Sequence, residues 1–214
     1  VIPLHSGLVA FVLCDGMGQN MEAYHESRKV IRLLRECLQH QMNPETAMHT
    51  LHYVMSLKHH SDLYATVDLA LLDLQQGKLW SFKAGSMSTY LLRGKDCVKI
   101  DSQSVPIGFL PTMSVDAEER IVKAGDILVM LSDGMFSPDY SLEEQENELI
   151  RLMKKYESTP TGSLADVLAA EFNNKYPAAE DDRTLIVVKL RHAVPEWSLF
   201  SPSYRNISRE RMIK

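Results

Sequence analysis

A run of six apolar residues near the start of the chain stops at an aspartate-glycine pair. Residues 8–13 read Leu-Val-Ala-Phe-Val-Leu, and Cys14, Asp15 and Gly16 follow directly. A continuous apolar run of this length is typical of a β-strand that is covered on both faces. Such a strand needs other layers packed on either side of its sheet, so the feature favours a layered domain.

The same ending occurs at later places in the chain. A second apolar run, residues 127–131, leads to Asp133 and Gly134. The acidic pair Asp181 and Asp182 stands just before a third apolar run, which predicts a final buried strand at residues 184–190. Asp-Gly pairs are common in turns, so one pair alone would favour a simple turn. Repetition at strand ends instead indicates a site, because a strand holds its terminal carboxylate rigidly at the rim of a sheet.

Carboxylates that gather at one place repel one another unless a cation lies among them. Oxygen-only ligands favour hard divalent cations such as magnesium or manganese. Two such ions, typically about 3.5–4 Å apart, can hold a water and a phosphoryl oxygen together. The sequence therefore predicts a metal-dependent site built on Asp15, Asp133 and the pair Asp181-Asp182.

Helical and strand patterns fill the rest of the chain. Helices are predicted at residues 21–41, 44–60, 142–156 and 163–173, and further strands at residues 66–74, 79–84, 89–93, 97–101, 115–123 and 184–190. Many short antiparallel strands with two groups of helices predict a layered α+β fold. Residues 192–214, with two prolines and scattered charge, are expected to form a tail over the surface or a partly disordered end.

Composition excludes several classes of function. The net charge is −5 and no long basic run occurs, so nucleic acid is not the expected partner. The three cysteines are an odd and small number, which argues against a disulfide framework and favours the cytoplasm. The first residue is Val1, so we expect a piece of a longer protein, and any membrane tether would lie outside this sequence. His49 and His52 have a spacing that could bind zinc, but exposed helix histidines are the better interpretation.

At these motifs the sequence resembles the type 2C family of metal-dependent serine/threonine protein phosphatases. Within it, the chain is most similar to the branch of stage II sporulation protein E. The resemblance runs over nearly the whole chain and rests on an ordered set of short motifs. These are Asp15-Gly16-Met17-Gly18 with Glu26-Ser27, Ala84-Gly85-Ser86, Val105-Pro106-Ile107-Gly108, Gly125-Asp126, Leu131-Ser132-Asp133-Gly134-Met135-Phe136, Asp181-Asp182-Arg183-Thr184 and Val194-Pro195-Glu196-Trp197.

The resemblance implies a β-sandwich flanked by pairs of antiparallel helices, with two manganese or magnesium ions at one end. Asp15 would bridge both ions, and Gly16 would give its backbone carbonyl to one of them. Asp133 and Asp181 would hold the other ion, with Asp182 beside the ligand place. A water between the ions would attack phosphoserine directly. The implied substrate is a small anti-sigma-factor antagonist in bacterial sporulation or stress signalling.

The family pattern also places an acid and a strand before the first Asp-Gly pair. We therefore expect the phosphatase domain, residues 1–191, to lack its N-terminal strand and the second ion to lack a ligand. That expectation keeps one alternative open, a phosphatase-fold module that binds protein with little or no catalysis. The sequence leaves the oligomeric state undetermined, a homodimer included.

Overall fold

The computed structural model describes residues 1–16, 21–57, 64–177 and 181–191, with residues 21–23 described by their backbone only. Within these ranges the strands are Ile2–Pro3 (β1), Leu8–Gly16 (β2), Ala65–Asp73 (β3), Lys78–Ala84 (β4), Thr89–Arg93 (β5), Asp96–Ile100 (β6), Asp116–Ile121 (β7), Ile127–Leu131 (β8) and Leu185–Lys189 (β9). The helices are Met21–Gln39 (α1), Pro44–Ser56 (α2), Leu142–Lys155 (α3) and Thr161–Lys175 (α4).

The strands form two antiparallel sheets that pack face to face. One sheet has the order β1-β2-β3-β4-β7 and the other has the order β6-β5-β8-β9. The interior between them is apolar and includes Leu72, Leu79, Leu91, Leu128 and Met130. Side chains of a strand alternate between its two faces, so each sheet also presents an outer apolar face that needs a cover.

Pairs of helices cover the two outer faces. Strand β3 shows the alternation, since Val67 and Leu69 pack in the cluster that contains α1 and α2, whereas Ala70 points to the other sheet. The helices α3 and α4 cover the second sheet in the same way, around Leu152 and Phe172. The result is a four-layer sandwich, and the predicted α+β class is confirmed.

Two expectations about burial were wrong. Strand β2 is mostly half-buried rather than covered on both faces, and only Ala10 is fully buried. The cause is the short strand β1, which the sequence did not reveal and which pairs only with Val9 and Ala10. Strand β9 was expected to be buried, but it is half-buried because it lies at the end of its sheet.

Some predicted segments fall outside the described residues. The second helix ends at Ser56, and residues 58–60, which were expected to continue it, are among those not described. The predicted tail at residues 192–214 lies outside them as well, so the division of the chain at residue 191 stays a prediction. Among the helices that are described, none has both the length and the apolar character needed to cross a bilayer.

Candidate metal centre

Three aspartates meet at one end of the sandwich. Asp15 lies near the end of β2, Asp133 opens a short helical turn after β8, and Asp181 precedes β9. One carboxylate oxygen from each of them lies within 4.8 Å of the others. Asp15 is half-buried, and the other two are exposed. The structure thus brings together carboxylates from both sheets, and the neighbouring Asp182 is not in the group.

The electrostatics of Asp15 show that the cluster carries more negative charge than the protein alone neutralises. Its pKa is raised from 3.8 to about 7, first by burial and then by a side-chain hydrogen bond with Asp133. The charges of Asp133, Asp181 and Asp182 raise it further. A cation placed among these oxygens would reverse that effect, since a nearby positive charge favours the ionised form.

Hydrogen bonds to backbone groups hold each of the three aspartates. Asp15 stands opposite Thr66 in the pairing of β2 with β3, and its N–H donates to the Thr66 hydroxyl at 3.2 Å. Gly134 donates its N–H to Oδ1 of Asp133 at 3.0 Å. Asp182 likewise donates its N–H to Oδ1 of Asp181 at 2.8 Å. The backbone of Asp15 and the carboxylates of Asp133 and Asp181 are therefore held in place before any ligand arrives.

Ser132 fastens the segment that carries Asp181 to the end of β8. Its hydroxyl donates to the Asp182 carbonyl at 3.2 Å and accepts the Thr184 N–H at 2.9 Å. Its own N–H donates to the Thr184 carbonyl at 3.0 Å. The sequence placed Ser132 in a family motif without a role, and the structure shows it clamping two acidic segments together.

Position 134 must be glycine because the segment that carries Asp181 and Asp182 passes very close to it. A Cβ atom at this position would lie 2.4 Å from the carbonyl oxygen of Asp182 and 3.2 Å from Cβ of Asp181. The first distance is far inside van der Waals contact, and the neighbour is backbone that cannot easily move. The glycine therefore sets how near Asp181 comes to Asp133.

Two further motifs pack against each other beside the aspartates. Gly85 has a φ of +62°, and a Cβ there would lie 2.5 Å from the nitrogen of Pro106. The next residue, Ile107, exchanges backbone hydrogen bonds with Ala65 at the start of β3. These contacts tie the loop before β7 to the same end of the sandwich.

His52 and Cys14 have roles in packing and hydrogen bonding, not in metal binding or catalysis. His52 is 1% exposed, so the expectation of exposed helix histidines was wrong for it. Its Nδ1 accepts the Gly108 N–H at 3.2 Å and its Nε2 lies 3.4 Å from the Pro111 carbonyl, which links α2 to the loop. Burial raises the pKa of the Cys14 thiol to about 12, and the charge of Asp15 adds to this. The thiol therefore stays protonated, in line with inert packing.

An ion pair beneath the aspartates was missed at the sequence level. Asp68 and Lys83 stand directly opposite each other in the hairpin of β3 and β4 and are 1% and 0% exposed. Each lies five residues from its end of the turn, which joins Asp73 to Lys78. The predicted strand ends, residues 74 and 79, would have paired Asp68 with residue 85, so the facing of this acid and base follows only from the observed turn.

Solved structures with the same architecture define the class. The phosphatase domain of stage II sporulation protein E from Bacillus subtilis, solved with a fragment of its regulatory domain, gives a TM-score of 0.79 at 31% identity. The match covers 88% of this chain and 55% of that one. A structure of the same phosphatase domain presoaked with manganese gives a TM-score of 0.58 at 28% identity, covering 91% of each chain. Fold and acidic cluster together define a phosphatase domain of the type 2C class.

Sequence comparison identifies the family. A sequence model of the stage II sporulation protein E family matches residues 5–191. The stage II sporulation protein E of Priestia megaterium is 32% identical over 210 residues, which is 97% of this chain and 36% of that protein. This chain belongs to the stage II sporulation protein E family and spans about a third of that relative's length.

A first prediction concerns the spacing set by Gly134. The change Gly134→Ala should push the Asp182 carbonyl, and Asp181 with it, away from Asp133, and so weaken manganese binding roughly tenfold. Calorimetric titration measures this. The matched control is Gly162→Ala, because a Cβ there meets nothing within 4 Å. Equal manganese affinity in the two variants would contradict the role given to Gly134.

A second prediction concerns the pH dependence of stability without metal. Because the pKa of Asp15 is about 7 in the folded protein against 3.8 ordinarily, the folded state binds this proton more tightly. Stability should therefore fall as the pH rises from about 4 to about 7. Thermal denaturation in chelator would show it, and Asp15→Asn, which cannot ionise, should flatten the slope. An identical slope in both proteins would show that Asp15 is not the titrating group.

Proposed function

We propose that this chain hydrolyses phosphoserine on a protein, with manganese or magnesium ions held by Asp15, Asp133 and Asp181. The observation that carries the proposal is the meeting of their three carboxylates within 4.8 Å, from strand ends of both sheets. The family resemblance adds the backbone carbonyl of Gly16 as a further ligand and a second ion. Two of the three acids are exposed, so the centre can be reached by a side chain on a folded partner.

The donors fit such ions. All three are carboxylates, the class of ligand that hard divalent cations prefer. The raised pKa of Asp15 indicates a place where added positive charge lowers the free energy of the folded protein. Family membership also supports the choice, since a relative's phosphatase domain was studied after soaking in manganese.

When bound, divalent cations supply charge neutralisation for phosphoryl oxygens and lower the pKa of a water. The chain's own residues do the positioning. Thr66 holds the backbone of Asp15, and Ser132 holds the segment of Asp181 against the strand that carries Asp133. The cluster by itself would repel a phosphate, so substrate binding follows metal binding. The high pKa of Cys14 argues against a thiolate nucleophile, which favours direct attack by water.

The proposed substrate is a small anti-sigma-factor antagonist that carries phosphoserine, in sporulation or stress signalling. Only family membership supports this choice of substrate. The surface that the structure describes shows no feature that would identify a partner. We assign the phosphatase domain to residues 1–191 and treat residues 192–214 as an appended tail. The alternative is a phosphatase-fold module that binds such a protein without turning it over.

The central experiment measures hydrolysis of a phosphoserine peptide. Manganese or magnesium should support turnover, and chelator should abolish it. The change Asp133→Asn should lower the rate by more than about 100-fold, since it removes a direct ligand charge. Asp96→Asn, a change at an exposed acid at the start of β6, is the control and should leave the rate unaltered. Unchanged turnover in Asp133→Asn would show that the centre is assigned wrongly, and manganese binding without turnover would favour the binding module.

A companion prediction separates Asp181 from Asp182. Successive side chains of an extended segment point in opposite directions, so only one of the two can readily face Asp133. Asp181 is the one within 4.8 Å of the other acids, so Asp181→Asn should lower the rate at least tenfold more than Asp182→Asn. Steady-state rates at saturating manganese decide this. A larger loss in Asp182→Asn would move the ligand assignment by one residue.

A further inference from the structure

The buried pair of Asp68 and Lys83 lies on the inner face of its sheet and reaches across the sandwich. Lys83 Nζ is 2.7 Å from Oδ2 of Asp68. Thr89, on β5 of the other sheet, donates its hydroxyl to the same oxygen at 2.5 Å. Lys83 also donates to the Thr89 hydroxyl at 2.9 Å. The three side chains form a polar connection between the two sheets.

The ammonium of Lys83 is fully engaged. Besides Asp68 and Thr89, it donates to the Met87 carbonyl at 2.7 Å and lies 3.4 Å from the Ser86 hydroxyl. It therefore holds the loop that follows Gly85. A buried ion pair of this kind adds little stability compared with apolar residues of similar size, because desolvation offsets the attraction. Its presence in an otherwise apolar interior calls for a role other than stability.

The second oxygen of the carboxylate supplies a clue to that role. Asp68 Oδ1 is buried and has no hydrogen-bond partner in the part of the chain that the structure describes. An unmet buried acceptor of this kind destabilises the folded protein, and more so when it is charged. Buried polar atoms of this sort are normally satisfied by a protein group or an ordered water.

A small pocket lies next to Asp68. Its volume is about 40 Å³, and its polar lining comes from Asp15, Thr66, Asp68, Ser86, Ser132 and Asp133. One water needs roughly 10–15 Å³ of such volume and two to four polar partners, so the pocket is large and polar enough for at least one. Asp15 and Asp133 belong to the proposed metal centre, so the pocket connects Asp68 to two proposed ligands.

We propose that Asp68 holds a water molecule in this pocket, and that through this water the Asp68–Lys83 pair positions Asp15 and Asp133 for metal binding. A water has two protons to donate, one to Asp68 and one to a carboxylate of the centre. The Ser86 hydroxyl, which accepts from Lys83, can donate its proton to the water oxygen. Hydrogen-bonded partners behind metal ligands commonly fix the ligand orientation in this way.

A neutral molecule fits the pocket better than a further cation. Lys83 already places a positive charge 2.7 Å from Asp68, so the charge of that carboxylate is compensated. The ion pair therefore adds no net charge to the pocket beyond that of Asp15 and Asp133, which belong to the proposed metal centre. Asp68 and Lys83 are positioning residues here, because they act on the centre through the water and the loop after Gly85.

The proposal rests on the proposed metal centre and is tested by removing the pair as a unit. In the double variant Asp68→Leu/Lys83→Met, apolar side chains of similar size replace both charges, and such replacements usually fold. We expect about tenfold weaker manganese binding by calorimetry, with a melting temperature equal to or above that of the wild type. The control is Asp126→Asn, which removes a buried acid paired with Arg93 at the other end of β8 from Asp133. It should lower the melting temperature and leave manganese affinity unaltered.

Unaltered manganese affinity in the double variant would overturn the proposal and leave the proposed function standing. A wild-type protein that binds no manganese would instead overturn the proposed function. A crystal structure of the metal-free wild type decides the water separately. A water within hydrogen-bond distance of Asp68 Oδ1 supports the proposal, and a well-resolved empty pocket contradicts it.

Discussion

The mutual repulsion of three carboxylates is the constraint on which the site end of this molecule depends. Asp15 comes from one sheet, and Asp133 and Asp181 come from the other, so their repulsion acts across the sandwich and pushes the sheets apart. The apolar interior between the sheets opposes this along most of the strand length. Near the rim, the buried Asp68–Lys83 pair opposes this through its polar contact with Thr89 of the other sheet. The bonds of Thr66 and of Ser132 hold each acid within its own sheet.

This arrangement links metal binding to stability. A centre that folds with its charges uncompensated keeps a proton on Asp15 near neutral pH, and a bound cation replaces that proton. Anything that binds only the folded state raises its stability by mass action. The same acids that weaken the metal-free sandwich should therefore strengthen the loaded one, and Gly134 keeps them close enough for both effects.

The sequence was sufficient to predict the strand ends and the acids that meet there, because long apolar runs fix strands and the Asp-Gly pairs mark where they stop. It could not show that β2 and β9 are half-buried, since an apolar run does not reveal a strand's place in the sheet. Strand β1 has two residues, too few for any periodic signal. The burial of His52 depends on a loop more than fifty residues away in sequence, and no local pattern encodes that contact. The pairing of Asp68 with Lys83 was missed for a related reason, because it depends on a hairpin register fixed by Asp73 and Lys78 and not by the predicted strand ends at residues 74 and 79.

The acids that meet at the rim are widely separated along the chain, and this affects how the protein acquires its site. Asp15 belongs to the second of the strands described and Asp181 lies just before the last of them, so the complete set forms only when distant parts of the chain meet. Contacts of such long sequence separation form late and slowly, after shorter loops have closed. A nascent chain still emerging from the ribosome would offer at most two of the three carboxylates. Tight capture of a divalent ion would then mark the moment at which the whole sandwich has closed, and chains cut short before residue 181 would fail to reach it.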